Sequence, residues 1–252
     1  MSNTDRVDKS LFEDAHYLGK PADSNDLLVK RRIRILSRFE GFFDKNARLV
    51  EIGCGNGNTL LQIADKFKHC YGLEYAAVHQ TEFESLQHQL KVSNAEFQTW
   101  DIMKSGFEPH CERLLSFEVI EHLPTEEGVA NYANSIVSGG LAAISVPNKW
   151  WIFETHGASL PWLPWNRVPL FSWLPTPLHE RWALARIYTK KRIKTLLEKN
   201  GFDVLEMHYV MAPMDVVKWK PLQFILRKLI FNSDTTKIPF KSVSIIVFCK
   251  KK

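Results

Sequence analysis

Three glycines at alternate positions, Gly53, Gly55 and Gly57, follow the apolar run Leu49-Val50-Glu51-Ile52 and lead into a helical pattern that starts near residue 57. A strand ending in such glycines lets a ligand come close to the backbone, because residues without a Cβ leave room and tolerate the turn. The spacing is G-x-G-x-G. A dinucleotide fingerprint needs G-x-G-x-x-G, and its third position here is Asn58. Glu51 stands two residues before the first glycine, and Glu74 ends the next apolar run, where a carboxylate can accept both hydroxyls of a ribose. Asp101 and Ile102 close a third run, Q-T-W-D-I, and Phe117, Glu118, Val119 and His122 lie in a fourth, L-S-F-E-V-I-E-H-L-P. Carboxylates beside such a loop suit a cationic ligand better than one carrying phosphate. Glu74 taken alone serves a nicotinamide dinucleotide equally well.

In this order the motifs resemble those of class I S-adenosylmethionine-dependent methyltransferases, whose first motif reads acidic-x-G-x-G-x-G. The E-V-I-E-H-L segment resembles the small-molecule branch, especially quinone-ring O-methyltransferases and related type 11 methyltransferases. The likeness is good over residues 48–146 and holds in outline beyond. It implies S-adenosyl-L-methionine as cofactor and S-adenosyl-L-homocysteine as product. It also implies that Glu51, Gly53, Cys54, Gly55, Asn56 and Gly57 cradle the methionine part, with Glu74 and Tyr75 at the ribose. Asp101 would accept from the adenine amine, Ile102 would pack on the ring, and Phe117, Glu118 and Val119 would lie beside the methyl group. Glu121 reads as a helix cap or a solvent-facing acid.

Methyl transfer is an in-line displacement at an activated carbon, so proximity does most of the work. An oxygen acceptor adds the need for a base. His122 is the candidate, against the alternative of a hydrogen-bonded structural histidine. His179, followed by Glu180, resembles the end of the substrate-covering insertion of the quinone branch and is a second candidate. Trp150, Trp151, His156 and Trp162 are candidates for the acceptor wall. The cysteines at 54, 70, 111 and 249 show no C-x-x-C pair and no metal spacing with histidine, so no metal is expected.

These residues need elements to hold them. Strand candidates near 48–53, 70–74, 95–100, 112–117 and 141–146 alternate with helical stretches near 57–67, 77–90 and 125–137. This is the pattern of a parallel sheet covered by helices. The expected fold is therefore α/β, a Rossmann-like three-layer sandwich. Its sheet is mostly parallel and seven-stranded, with an antiparallel last strand and an aromatic-rich insertion after the fifth. A single domain spans 1–252: an arm and a helix over 1–43, the cofactor-binding core over 48–147, the insertion over 148–188, and helices and strands over 189–252. Ser24 or Asp26 can cap the first helix, which runs to about Phe43. Later elements are a helix over 189–200 closed by Gly201, a strand near 203–211, a helix over 221–231 and a strand near 242–249.

Five of the eight tryptophans lie between residues 150 and 173 of the insertion, which also holds Pro161, Pro164, Pro169, Pro175 and Pro177, a density that forbids a central strand or regular helix. Its aromatic surface suits an apolar ligand, a membrane interface or a satellite core. In the 221–231 helix, Leu222, Ile225, Leu226, Leu229 and Ile230 can share one face beside Lys220, Arg227 and Lys228. Such a helix packs on its own sheet or lies on an anionic membrane. The net charge of +5 is too slight for a nucleic-acid stripe. The amino terminus lacks signal-peptide character, and no apolar run reaches the roughly 18 residues of a membrane span. A cytoplasmic enzyme with a small-molecule or lipid-like acceptor is expected, and peripheral membrane contact stays open. A nicotinamide-dependent oxidoreductase and a non-catalytic binding module with the same fold are the alternatives.

Overall fold

The computed structural model describes residues 26–160 and 168–252, so the predicted amino-terminal arm and Trp162 lie outside the described residues. The strands are β1 (Asp44–Ile52), β2 (Phe67–Glu74), β3 (Ala95–Thr99), β4 (Cys111–Phe117), β5 (Ile136–Pro147), β6 (Phe202–Met211), β7 (Thr235–Thr236) and β8 (Ser242–Lys251). They form one sheet in the order β3-β2-β1-β4-β5-β8-β6-β7. The five strands β1 to β5 pair in parallel, and β8 lies antiparallel between β5 and β6. The Rossmann-like α/β reading holds. The sheet has eight strands because the two-residue β7 adds an antiparallel edge.

Neighbouring residues of the central strands fall into opposite cores, as the period of two requires. Val50, Leu114, Ile144 and Val247 pack on one side with Tyr132, Phe107 and Leu197. Leu49, Leu115, Ala143 and Ile246 pack on the other with Phe42, Leu60 and Phe83. Burial on both faces explains why these strands read as continuous apolar runs rather than alternating ones.

The helices are α1 (Leu27–Leu36), α2 (Asn58–Ile63), α3 (Gln80–Leu90), α4 (Val129–Ala133), α5 (Thr176–His179), α6 (Lys190–Lys199) and α7 (Lys220–Leu229). Asp26 caps α1 by accepting the Leu28 N–H at 2.7 Å. The helix stops at Leu36 and not at Phe43. Residues 37–43 turn back so that Phe39 stacks on Phe248 at 4.2 Å and Phe42 enters the core. The predicted 125–137 helix shrinks to α4, because Ile136 already pairs with Cys111 across β5 and β4. Gly201, at φ +88°, follows α6 as expected.

The described parts of the insertion between β5 and α6 are irregular but tied down. Isolated bridges link Phe153 with Pro169 and Ala158 with Ala183, and Tyr188 and Pro147 join its two ends by a backbone hydrogen bond. In α7 the polar Gln223 faces inward, donating to the Met214 and Val217 carbonyls, whereas Leu222, Ile225, Leu229 and Ile230 face outward. Among the described residues no helix is long and apolar enough to cross a membrane.

Candidate functional site

The glycine loop leaves the carboxyl end of β1 and is pinned from β2. The Gly53 and Cys54 N–H groups donate to the Leu73 carbonyl, and Glu74 Oε2 accepts the Gly55 N–H at 2.8 Å. Gly53, Gly55 and Gly57 all have positive φ, at +71°, +52° and +74°, where a side chain is disfavoured. They differ in what surrounds them. A Cβ on Gly53 would lie 2.3 Å from a Val119 methyl carbon, and one on Gly57 would lie 2.3 Å from the Phe83 ring. A Cβ on Gly55 meets nothing within 4 Å. Two glycines therefore serve packing and turn, and the middle one borders open space. Gly57→Ala is expected to cost about 2–4 kcal/mol through the Phe83 clash and the left-handed backbone, seen as a lowered urea midpoint with an unchanged slope.

Glu51 lies at the end of β1, 3% exposed, with Oε2 lacking any hydrogen-bond partner. Burial pushes its carboxyl up to about 8, with Glu74 adding to the rise and the Leu60 N–H and Arg32 opposing it. Glu74 holds the loop with one oxygen and the Ala76 N–H, at 3.2 Å, with the other. Each oxygen keeps a lone pair for a further donor. Tyr75 beside it is exposed. Asp101 Oδ1 accepts the Met103 N–H at 3.0 Å, and Ile102 is buried in the core. Asn56 Oδ1 accepts the Asn58 N–H, and burial pushes the Cys54 thiol well above its usual range, so it stays protonated.

β4 ends in Phe117 and Glu118, and Glu118 sits at φ +58°. A non-glycine residue there is held by its surroundings. Its N–H donates to the Ser145 carbonyl, and its Oε1 accepts from Ser145 Oγ at 2.7 Å and from Arg32 Nη2 at 2.6 Å. Arg32, from α1, also lies over the Phe117 ring at 5.1 Å. Sequence reasoning missed this arginine, whose only signal was a charged residue on the apolar side of α1.

Beyond Glu118, the 3₁₀ turn Ile120–His122 carries Glu121 and His122. Glu121 neither caps a helix nor faces solvent. It is 2% exposed, and burial beside Glu118 raises its carboxyl well above the usual range. His122 meets His156 of the insertion edge-on, with ring centroids 4.7 Å apart. Burial, reinforced by His156, pushes His122 down to about 3. A ring so reluctant to take a proton is a weak general base, which argues against the base role expected of it.

The insertion reassigns other expectations. His179 is 0% exposed and its Nε2 lies 2.7 Å from Glu154 Oε2, which also accepts from Ser172 Oγ. The His179 pairing lowers the Glu154 carboxyl against the effect of burial. His179 is thus a clasp inside the insertion and not a catalytic group, and Glu180 pairs with Arg192 of α6. Trp150 packs on Phe240 and is not part of the pocket wall. Trp151 and His156 do line a cavity of about 290 Å³, together with Arg32, Glu118, Phe153 and Met214.

S-adenosylmethionine fits the strand ends. Glu51 offers a buried oxygen without a partner, Gly55 opens space at the backbone, and Glu74 and Asp101 stand in the expected order along the sheet edge. When bound, it supplies a methyl carbon activated by positive sulfur. The chain's own residues would bind the donor and exclude water from the transfer.

A methyltransferase domain family model matches residues 27–207. A curated relative, (S)-tetrahydroprotoberberine N-methyltransferase from Eschscholzia californica, is 31% identical over 77 residues, which cover 30% of this chain and 22% of that protein. The chain therefore matches under a quarter of that relative's length. Among solved structures, an S-adenosylmethionine dependent methyltransferase from Mesorhizobium loti superposes with a TM-score of 0.59 at 11% identity, covering 88% of this chain and 98% of that one. The N-methyltransferase NodS from Bradyrhizobium japonicum gives a TM-score of 0.58 at 11% identity, covering 91% and 99%. These two show the shared fold. With the family match spanning most of the sequence, the chain belongs to the methyltransferase domain family.

Proposed function

We propose that the enzyme methylates an oxygen of a small, ring-bearing acceptor held between the end of β4 and the insertion. The observation that carries this reading is the cavity of about 290 Å³, whose lining includes the aromatic Trp151 and Phe153 and the polar Glu118 and His156. Aromatic walls with a few polar groups are what orient a small ring and its hydroxyl. In this reading Glu51 and the 53–57 loop hold the methionine part of the donor, Glu74 the ribose and Asp101 with Ile102 the adenine. Residues 148–188 cover the acceptor.

A nitrogen acceptor is the second reading. The N-methyltransferase activity of the relative from Eschscholzia californica supports it, as do Glu154 and Asp215, which line the cavity with Glu118 and suit an ammonium. Labelled methyl transfer from S-adenosylmethionine to a panel of phenols, alcohols and amines separates the two. Turnover of hydroxyl compounds alone supports the first, and turnover of amines alone removes it.

We also propose that α7 rests on an anionic membrane surface of the cytoplasm, where a lipid-like acceptor would be met. Phe224 is 65% exposed and Leu229 70%, with Trp219, Ile225 and Ile230 beside them and Lys218, Lys220 and Lys228 at their margin. An outward apolar face edged by lysines is the pattern of an interfacial helix. Vesicles containing anionic lipid should float the protein at low salt, and Phe224→Glu with Leu229→Glu should reduce the bound fraction about tenfold or more. Equal flotation of the variant overturns the proposal.

A further inference from the structure

Glu121 and His122 come from the turn after β4 and His156 from the insertion, and one ligand atom of each lies within 4.8 Å of the other two. Two imidazoles and a carboxylate form a donor set that first-row divalent cations accept, and three protein ligands leave coordination positions open. A second observation points the same way. The Glu121 side chain is wholly enclosed, neither of its oxygens meets hydrogen-bond geometry, and the Glu118 carboxyl beside it can share a proton with it but cannot neutralise its charge. A buried carboxyl left without partners is costly, and a cation would supply them. His156 Nε2 stands 3.6 Å from Glu121 Oε1, too far for a hydrogen bond but suited to sharing an ion.

The surroundings hold the three groups in place. Thr155 Oγ1 lies 3.2 Å from His156 Nδ1, so the ring is oriented through one nitrogen while the other faces Glu121. The Arg186 N–H donates to the Glu121 carbonyl, and its guanidinium donates to the Leu123 and Pro124 carbonyls, which fixes the turn that carries two of the three groups.

We propose that Glu121, His122 and His156 bind one divalent first-row cation of the zinc or manganese class, with its open positions toward the acceptor cavity. His156 and Glu118 line that cavity, so an acceptor hydroxyl placed there would reach the ion. The role of the cation rests on the oxygen-acceptor reading, although its binding does not. As a Lewis acid it makes the bound hydroxyl acidic. The O–H proton passes to solvent, and the oxygen's electron pair forms the new O–C bond. The C–S bond breaks with its pair staying on sulfur, which leaves as the neutral thioether of S-adenosylhomocysteine. Such a cation does the work otherwise asked of a general base. It also joins the turn after β4 to the insertion, so it binds the folded chain and stabilises it.

The full chain, stripped with a chelator, is titrated with manganese chloride and with zinc chloride by calorimetry, and its melting temperature is followed with and without S-adenosylhomocysteine. One cation per chain and a raised melting temperature are expected. Glu121→Gln and His156→Ala should each weaken uptake roughly tenfold or more, while both keep the response to S-adenosylhomocysteine. His156 sits on an irregular segment, so His156→Ala keeps the test decisive where the buried Glu121→Gln fails to fold. No uptake of either cation, or uptake of equal affinity in His156→Ala, overturns the site. Uptake that His156→Ala loses supports it even where only amines are methylated, an outcome that removes the oxygen reading alone.

Discussion

Replacement of Gly55 by arginine is expected to abolish donor binding while leaving the protein folded. Gly55 is the loop glycine whose Cβ direction meets no protein atom within 4 Å, so the new side chain has nowhere to go but the space beside the loop. The backbone at φ +52° adds a strain of roughly 1–2 kcal/mol, tolerable for a domain of ordinary stability. The Gly55 N–H donates to Glu74 and anchors the loop to β2, and that bond needs no side chain. Affinity for S-adenosylhomocysteine should fall by about 100-fold or more, equivalent to about 2.7 kcal/mol or more. The wild-type thermal shift with the ligand should therefore vanish, with the ligand-free melting temperature lowered by only a few degrees. Gly53→Ala is the contrast, since its Cβ would collide with Val119 and should lower stability first. Retention of wild-type affinity by Gly55→Arg would place the donor elsewhere.

Donor affinity should also rise with pH between about 6 and 8, by close to tenfold per unit, through Glu51. Burial raises this carboxyl to about 8, so at neutral pH it holds its proton in the absence of ligand. A bound ammonium favours the carboxylate and forces that proton off. Binding below pH 8 therefore releases up to one proton per site, and raising the pH assists it until Glu51 is ionised beforehand. Calorimetry in two buffers of different ionisation enthalpy measures the release directly. Glu51→Gln should flatten the pH dependence and weaken binding above pH 8. For the ligand-free protein the linkage has its own sign. Because the folded value lies above the usual 4.5, the stability contribution of Glu51 is full below about 4.5 and is lost as the pH climbs through about 8. The ligand-free glutamine variant should then melt above the wild type in alkaline buffer. No proton release at pH 7 would mean that Glu51 does not meet the donor's charge.

The strand ends that carry the candidate donor residues were legible because they are local. A strand, a glycine turn and a helix are neighbours in sequence, and parallel strands bring their carboxyl ends to one edge, so Glu51, Glu74 and Asp101 needed only their order to be placed. The strands read well for the same reason: their continuous apolar runs follow from burial on both faces. The cavity and the insertion beside it depend on contacts that spacing does not encode. Arg32 reaches Glu118 across 86 positions, and Glu154 closes on His179 across 25. A histidine and a carboxylate in an irregular segment read alike as catalysts or as a buried clasp, and only the fold separates them. Glu121 was misread because acids after a strand usually meet water, whereas here the insertion roofs the turn. Helix α7 carried the right pattern, but periodicity identifies an apolar face without saying which way it turns.

The order of the strands also bears on the order of synthesis. Among the described residues β6 finds its sheet partners in β7 and β8, both made after it, and β8 is the wedge that joins β6 to β5. While the chain is emerging, the glycine loop and the first five strands can assemble, but β5 presents an unpaired apolar edge until residues 242–251 arrive. A ribosome pause or a nonsense codon just before Ser242 would leave two open edges on a half-built sheet. Such edges pair readily with other chains. The strand ends that carry Glu51, Glu74 and Asp101 are thus made well before the sheet is closed against aggregation.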